Sequence, residues 1–241
     1  MASAIRTVAR TARRVAGARV ACAMVTAVAA APVAATAAAT PRKSSSKAAP
    51  VADAAASASP TDVLSYWFED DKTQFRRKWF MSSKEDDEAL KAKFGDAIAA
   101  AKRGELAGWE GNARSALALV ILLDQFGRSV HRGSAEAFAG DALALKVCLV
   151  CMAHGWDKSM SPMERMFLYM PLEHSEDPTM MRLCLSKMAD ITEVPAALDF
   201  AKTHADILER FGRYPHRNAV LGRESTQAEV DYLKSADTFG Q

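Results

Sequence analysis

The most informative segment of this chain for its fold is Arg114-Ser-Ala-Leu-Ala-Leu-Val-Ile-Leu-Leu-Asp-Gln-Phe126. Apolar side chains fall on every side of a helix drawn through it, and a helix without a polar face has to be surrounded by protein. We therefore predict that it forms the central helix of a globular domain. Asp124 near its end and Arg128 just beyond it are four positions apart, so they share a face if the helix continues.

The segments on both sides of this stretch also carry apolar residues at helical spacing, and none shows a convincing strand alternation. Local signals set the predicted ends: Thr61 as a first cap, Pro171 after a short helix, Asp177 with Pro178 as cap and first turn, Gly212 as a stop, and Thr226 as the cap of the last helix. The predicted helices cover residues 62–68, 85–102, 114–126, 136–154, 163–170, 178–191, 196–211 and 227–234. Short links between about eight helices predict an all-α, antiparallel array.

Residues 1–59 have a different composition from the rest of the chain. Eight Lys and Arg and no acid occur in residues 1–52; removing them from the 31 basic residues leaves 23 against 29 acids, so the remainder carries −6. An acid-poor segment rich in Ala, Ser and Arg is typical of an organellar transit peptide. We therefore predict a disordered targeting leader over residues 1–59 and one helical domain over residues 60–241.

The destination of the leader is read partly from the cysteines. Cys148, Cys151 and Cys184 are an odd number and lie in apolar helical stretches, which favours buried free thiols over a disulfide framework. This favours a reducing compartment, the mitochondrial matrix or the chloroplast stroma. Export is the alternative, because the uncharged run over residues 20–41 follows an Arg-rich start.

Charge and hydropathy exclude two classes of partner. A domain with a net charge of −6 lacks the excess positive charge that a nucleic-acid-binding surface needs. The uncharged run of the leader contains no Leu, Ile or Phe, so we expect no stable membrane insertion.

Three places in the chain combine polar side chains with apolar surroundings and are candidate ligand-binding sites. The first contains Asp124, Gln125 and Arg128, which form either a structural ion pair or part of a pocket. The second is the turn with Glu173, His174 and Glu176, where two carboxylates flank an imidazole. These side chains could move protons or hold a metal, although helix capping is the more ordinary use of such a turn and no paired-histidine metal spacing is present.

The third place is the densest in arginine and histidine. His204 shares a helical stripe with apolar residues and should point inward. Arginine forks suit carboxylates and phosphates, so the cluster could bind an anion, or it could form a network with Asp124, Glu173, Glu176 and Glu224. The candidate ligand-binding residues of this third place are His204, Arg210, Arg213, His216, Arg217, Asn218 and Arg223, and the candidate catalytic residues of the whole chain are Glu173, His174 and His216.

Six short sequence motifs follow one another along the chain, and four of them overlap the three candidate places. They are Val63-Leu-Ser-Tyr-Trp-Phe68, Leu122-Leu-Asp-Gln-Phe126, Phe138 with Asp141, Phe167-Leu-Tyr-Met-Pro-Leu-Glu-His-Ser-Glu-Asp177, Arg210-Phe-Gly-Arg-Tyr-Pro-His-Arg-Asn218 and Leu221-Gly-Arg-Glu-Ser-Thr226. From about residue 62 to the C-terminus the chain resembles the family called domain of unknown function 924. The resemblance implies a helical fold similar to the tetratricopeptide-like superfamily and supplies no substrate, cofactor or activity.

Three functional hypotheses follow from the residues. The first is a polar pocket between helices that binds an anionic small molecule. The second is a helical adaptor in which the same residues form a structural network and a concave surface binds a peptide or protein. The third is a metal-dependent enzyme that uses His174, His204 or His216 with carboxylates.

Overall fold

The computed structural model describes residues 58–69, 76, 79 and 81–236, and within these residues it contains eight helices and no β-strand. The all-helical prediction is confirmed, whereas residues 1–57 of the leader predicted over residues 1–59 lie outside the described residues. The helices are α1 (Pro60–Phe68), α2 (Lys84–Lys102), α3 (Ala113–Val120, continuing through Ile121–Phe126 and Gly127–Val130), α4 (Asp141–Ala153), α5 (Pro162–His174), α6 (Pro178–Ala189), α7 (Pro195–Phe211) and α8 (Gln227–Leu233).

Helix α3 is the centre of the structure, as its sequence predicts. Every residue from Ser115 to Gly127 is buried. Helices α1, α2, α4 and α5 pack against α3, and from α3 to α7 each helix packs against the next along the chain. The similarity to tetratricopeptide-like arrays stays a prediction.

Aromatic side chains fill the space between α1, α3 and α5. The rings of Trp67, Phe126 and Phe167 meet edge to face, with centroids 5.3 to 5.4 Å from the Trp67 ring. The Trp79 ring lies 4.8 Å from that of Phe167, and its Nε1 donates a hydrogen bond to the carbonyl of Trp67. Such pairs add about 0.5 to 1.5 kcal/mol each to the burial of their surface. They fix α5 against the end of α3, where the candidate site lies.

Three of the local helix signals are confirmed. Asp177 caps α6 by accepting a hydrogen bond from the backbone of Thr179, and Pro178 occupies its first turn. Gly212 ends α7 at a φ of 70°, a conformation that glycine adopts without steric cost. Thr226 caps α8.

Three predicted boundaries are wrong, and in two of them tertiary contacts override the local signal. Helix α1 begins at Pro60, because Ser59 rather than Thr61 caps it through a reciprocal bond with Asp62. Helix α5 continues through Pro171 to His174, and the residues after the proline, Leu172 and Glu173, are buried.

The predicted helix over residues 136–154 is also interrupted. The chain forms a short 3-10 turn, Ala135–Phe138, and α4 begins only at Asp141. At the break, Gly140 lies directly against α3, where a Cβ atom would come within 2.5 Å of the carbonyl oxygen of Leu123. The chain approaches the backbone of α3 too closely at this point for any residue with a side chain.

The three cysteines of the helical domain are buried and unbridged, as predicted. Burial raises the pKa values of all three thiols, that of Cys151 to about 11, so they are protonated at neutral pH. Across residues 58–236, apart from the undescribed positions between 70 and 80, no helix has both the length and the apolar character needed to cross a membrane.

Candidate functional site

The site begins with a change of helical pitch in α3. Residues Ile121–Phe126 form a π-helical turn, and such turns occur mostly as single widened turns inside α-helices, often at functional sites. This turn contains Asp124, which is completely buried, and Gln125, which is 8 % exposed. The Gln125 amide donates to the Asp124 carboxylate and lies 3.3 Å from the sulfur of Met170. The central helix thus carries a carboxylate into the protein interior.

Asp124 holds the imidazole of His174, at the end of α5. The His174 Nδ1 lies 2.7 Å from Asp124 Oδ1, and Arg128 Nη2 lies 3.3 Å from the same oxygen. Burial alone would raise the pKa of Asp124, but the His174 and Arg128 contacts lower it below its ordinary value. Burial and then the Arg128 charge lower the pKa of His174, so a neutral imidazole donates its Nδ1 proton to an ionised carboxylate. The Nε2 atom of His174 has no hydrogen-bond partner among the described residues.

Two arginines converge on Asp141, in the first turn of α4. Arg128 Nη2 lies 2.9 and 3.0 Å from the two carboxylate oxygens, and Arg217 Nη1 lies 3.3 Å from Oδ2. Both guanidinium groups also lie against the ring of Phe138, with their carbons 5.1 and 4.7 Å from its centroid. Burial, followed by the charge of Arg128, lowers the pKa of Arg217 to about 10. The two positively charged guanidinium groups therefore lie close together against the same aromatic ring.

Glu173 and His204 form a second buried pair beside the first. The Glu173 Oε1 lies 2.9 Å from His204 Nδ1, and the two side chains are 2 % and 7 % exposed. Burial would lower the pKa of His204, but Glu173 raises it above its ordinary value, which favours a protonated imidazole. Tyr214 braces the pair, since its hydroxyl donates to the Glu173 carbonyl and its ring meets that of His204 edge to face. One potential ligand atom each from Glu173, His174 and His204 lie within 4.8 Å of one another.

His216 stacks on Tyr214, with ring centroids 5.8 Å apart and an interplanar angle of 24°. Burial lowers its pKa to about 3, and the charge of Arg217 is the next largest contribution. His216 is therefore neutral at pH 7. It can exchange a hydrogen bond with a ligand but adds no positive charge to the site.

The remaining candidates tie the segment that follows α7 to its neighbours. Arg223 binds Glu176 through both terminal nitrogens, at 2.6 and 3.0 Å, and its Nε donates to the side-chain oxygen of Asn218. Burial would raise the pKa of Glu176, but hydrogen bonds from Arg223 and from the Tyr214 backbone lower it.

Arg213 and Arg210 also have structural partners. Arg213 binds both carboxylate oxygens of Glu229 in α8, at 2.7 and 2.8 Å. Arg210 is exposed and lies on the rings of Phe211 and Tyr232.

The structure therefore brings together the candidates from all three sequence places, but not every candidate. The pair of Asp124 and Arg128 is present as expected, and His204 points inward. The contacting core consists of Asp124, Gln125, Arg128, Glu173, His174, His204, His216 and Arg217, whereas Glu176, Arg210, Arg213, Asn218 and Arg223 make contacts around it.

The structure adds four residues that are not among the candidates predicted from the sequence: Phe138, Asp141, Tyr214 and Glu229. Asp141 and Phe138 form one of the six sequence motifs, but a continuous helix over residues 136–154 hid the turn that places them in the site. Of the pairings considered for the arginines, that of Arg223 with Glu176 is observed. The pairing of an arginine with the Glu224 carboxylate is not observed for Arg213. Its guanidinium donates to the backbone carbonyl of Glu224, and the carboxylate that it binds is that of Glu229.

Comparison with known proteins places the chain in a family. The model of the family described as bacterial protein of unknown function (DUF924) matches residues 63–237. A solved structure of a protein of unknown function from Agrobacterium tumefaciens is 37 % identical, with a TM-score of 0.68, and the match covers 73 % of this chain and 97 % of that one. No functionally curated protein matches the sequence. The chain therefore belongs to the DUF924 family.

Proposed function

We propose that this protein binds a small molecule carrying a carboxylate or phosphate group, and that Arg128 and Arg217 hold the anion. The supporting observation is the large number of unused donors on two largely enclosed guanidinium groups, since the side chains of Arg128 and Arg217 are 11 % and 7 % exposed. The guanidinium of Arg217 donates a single hydrogen bond among the described residues, although such a group carries five N–H donors.

Arg128 is in a similar state. All of its hydrogen bonds use Nη2, and the Nε atoms of both arginines are buried without a partner among the described residues. An unsatisfied buried donor costs about 1 to 3 kcal/mol. An anion that reaches these N–H groups would recover that cost, and because the groups are charged, the resulting hydrogen bonds are strong and short.

Asp141 gives the arginines their positions without satisfying them. It holds one terminal nitrogen of each and keeps both groups beside Phe138. Fixing the donors before the ligand arrives reduces the entropy lost on binding. His174 and His216 are neutral neighbours that would orient the rest of the ligand through hydrogen bonds.

The test is calorimetric titration of the full chain with inorganic phosphate and with succinate, in the presence of EDTA. We expect one anion per chain, and we expect Arg217→Gln to weaken binding by about tenfold or more, since a hydrogen bond to a charged group contributes roughly 1.5 to 3 kcal/mol. Arg182→Gln is the matched control, because Arg182 is exposed and its guanidinium donates a hydrogen bond to the Thr179 hydroxyl, away from the site.

Two results would overturn the proposal. One is the absence of heat of binding with both anions. The other is an affinity that Arg217→Gln and Arg182→Gln leave equally unchanged. If Arg217→Gln lowers the melting temperature while no anion binds, the cluster is a structural brace.

A second candidate function is the adaptor, and one surface favours it. The outer side of α4 carries a stripe of mostly apolar residues beside a shallow groove of about 470 Å³, lined by Ala142, Leu145, Lys146, Leu149, Val150 and Ala153. Their spacing matches the contact face of an amphipathic partner helix. The adaptor would not use Arg217, so the Arg217→Gln titration separates the two candidates.

A further inference from the structure

We infer that Glu173, His174 and His204 bind one divalent transition-metal ion of the Zn²⁺ type, with a coordination position left open. These three side chains converge from two helices. Glu173 and His174 end α5, His204 lies in the middle of α7, and one ligand atom from each comes within 4.8 Å of the others. Neighbouring ligands on a tetrahedral ion with bonds near 2 Å are roughly 3.3 Å apart. Glu173 Oε1 already lies 2.9 Å from His204 Nδ1. Because Nδ1 also lies 3.0 Å from the carbonyl oxygen of Phe200, it carries a proton, and the metal would be bound through the other ring nitrogen of His204.

The Glu173 carboxylate and the His174 imidazole have electron pairs that accept no hydrogen bond from the part of the chain that the structure describes, although both side chains are largely enclosed by protein. A carboxylate has about four lone-pair positions, yet the only polar contact of the Glu173 carboxylate among the described residues is with His204. His174 uses Nδ1 alone. Buried carboxylates and imidazoles in this state are poised to bind an additional electron-pair acceptor.

His174 also has a carboxylate partner of the kind that accompanies metal-binding histidines. Histidines that bind a metal through one nitrogen usually donate the other N–H to a carboxylate, which fixes the ring and increases its basicity. Asp124 accepts such a bond at 2.7 Å and is itself completely buried. The π-helical turn of α3 thus supplies the outer partner of a metal ligand.

Charge balance permits a cation here despite the nearby arginines. Asp124 and Glu173, which are buried, and Asp141, whose side chain is 22 % exposed, carry three negative charges, and Arg128 and Arg217 carry two positive charges. The sum is −1, so a cation beside Glu173 is not opposed by an excess of positive charge. Two imidazoles and one carboxylate select Zn²⁺ and its first-row neighbours over Mg²⁺ and Ca²⁺, which prefer oxygen ligands.

The test uses the untagged full chain, stripped of metal with EDTA, dialysed and titrated with Zn²⁺ by calorimetry, with Mg²⁺ as the comparison ion. We expect one Zn²⁺ per chain and weak or no Mg²⁺ binding. Glu173→Gln preserves the shape of the side chain, and His174→Ala removes the imidazole. Each should weaken Zn²⁺ binding by about tenfold to a hundredfold or more, because the loss of a residue that only hydrogen-bonds to a metal ligand already has an effect of that size. His154→Ala is the control, because His154 is exposed and stacks on Trp156.

A second readout covers variants that fold poorly. Co²⁺ bound by nitrogen and oxygen ligands gives visible absorption, and its intensity should fall in Glu173→Gln while circular dichroism shows an unchanged helix content. The inference is overturned if Zn²⁺ does not bind, or if Glu173→Gln and His154→Ala bind it equally. Anion binding is measured in EDTA and depends on Arg217, so either property can fail while the other holds.

Discussion

At the scale of single residues, the four arginines between positions 210 and 223 differ in what they contact. Arg213 and Arg223 each bind a carboxylate through two nitrogens, and Arg210 lies on exposed rings. Arg217 is buried with one weak hydrogen bond. The sequence could not separate them, because they are alike in type and close in position. Their partners decide their roles, and Asp141 is 76 residues away from Arg217.

Arg213 is expected to stabilise the fold through Glu229, in a pH-dependent way. The hydrogen bond from Arg213, followed by those from Thr226, lowers the pKa of Glu229 below its ordinary value. A carboxyl group whose pKa is lowered in the folded state stabilises the protein above its unfolded pKa, near 4.3, and loses that contribution as the pH falls through the folded value. Arg213→Ala should therefore lower the melting temperature at pH 7, and its difference from the native protein should shrink steadily below about pH 4.3.

The measurement is thermal unfolding by circular dichroism from pH 7 to pH 2. Arg182→Ala is the reference, because the partner of Arg182 is a threonine hydroxyl that does not titrate in this range. A difference between Arg213→Ala and the native protein that stays constant with pH would show that the pair with Glu229 does not stabilise the fold.

At the scale of helices, local signals predict some boundaries and tertiary contacts set the others. The caps at Asp177 and Thr226 and the stop at Gly212 act through their own backbone neighbours, so the sequence contains all the information they need. The π-helical turn and the break at Gly140 are a matched pair, because the backbone of α3 leaves no room for a side chain at that glycine. Neither segment shows this close approach in its own sequence. The π-helical turn contains Asp124 and Gly140 directly precedes Asp141, so the approach positions two residues of the site.

Gly140→Ala should damage the site without touching any polar side chain. The new Cβ would lie 2.5 Å from the carbonyl oxygen of Leu123, a backbone atom that cannot rotate away. Overpacking of this kind destabilises by about 1 to 3 kcal/mol. Asp141, the next residue, should move with the displaced backbone and release Arg128 and Arg217.

Chemical denaturation would measure the loss of stability, and the phosphate titration would measure the loss of the site. Gly108→Ala is the control, since a Cβ there meets no atom within 4 Å. Equal stability and equal anion binding in the two alanine variants would contradict the role assigned to this close approach.

At the scale of the whole molecule, the acidic domain contains an interior where positive and negative side chains are concentrated. Residues 53–241 carry a net charge of −6, yet Arg128 and Arg217 place two positive charges in a largely enclosed region around Phe138. The sequence predicted the helical class, the central helix and most members of the core, because burial and helical spacing are encoded locally. It could not predict which acids face which arginines, since α4, α5 and the segment after α7 meet only in the folded protein. The targeting leader, with a mitochondrial or plastid destination, stays a prediction.

The unused guanidinium donors of Arg128 and Arg217 are expected to receive an anion. Nuclear magnetic resonance of the full chain with ¹⁵N-labelled arginine, in EDTA, observes the Nε–H groups directly, and Arg128→Lys and Arg217→Lys assign the two signals. On titration with phosphate or succinate, we predict that these two signals shift and saturate together while those of Arg213 and Arg223 stay in place. Signals of Arg128 and Arg217 that do not move with either anion would contradict the account.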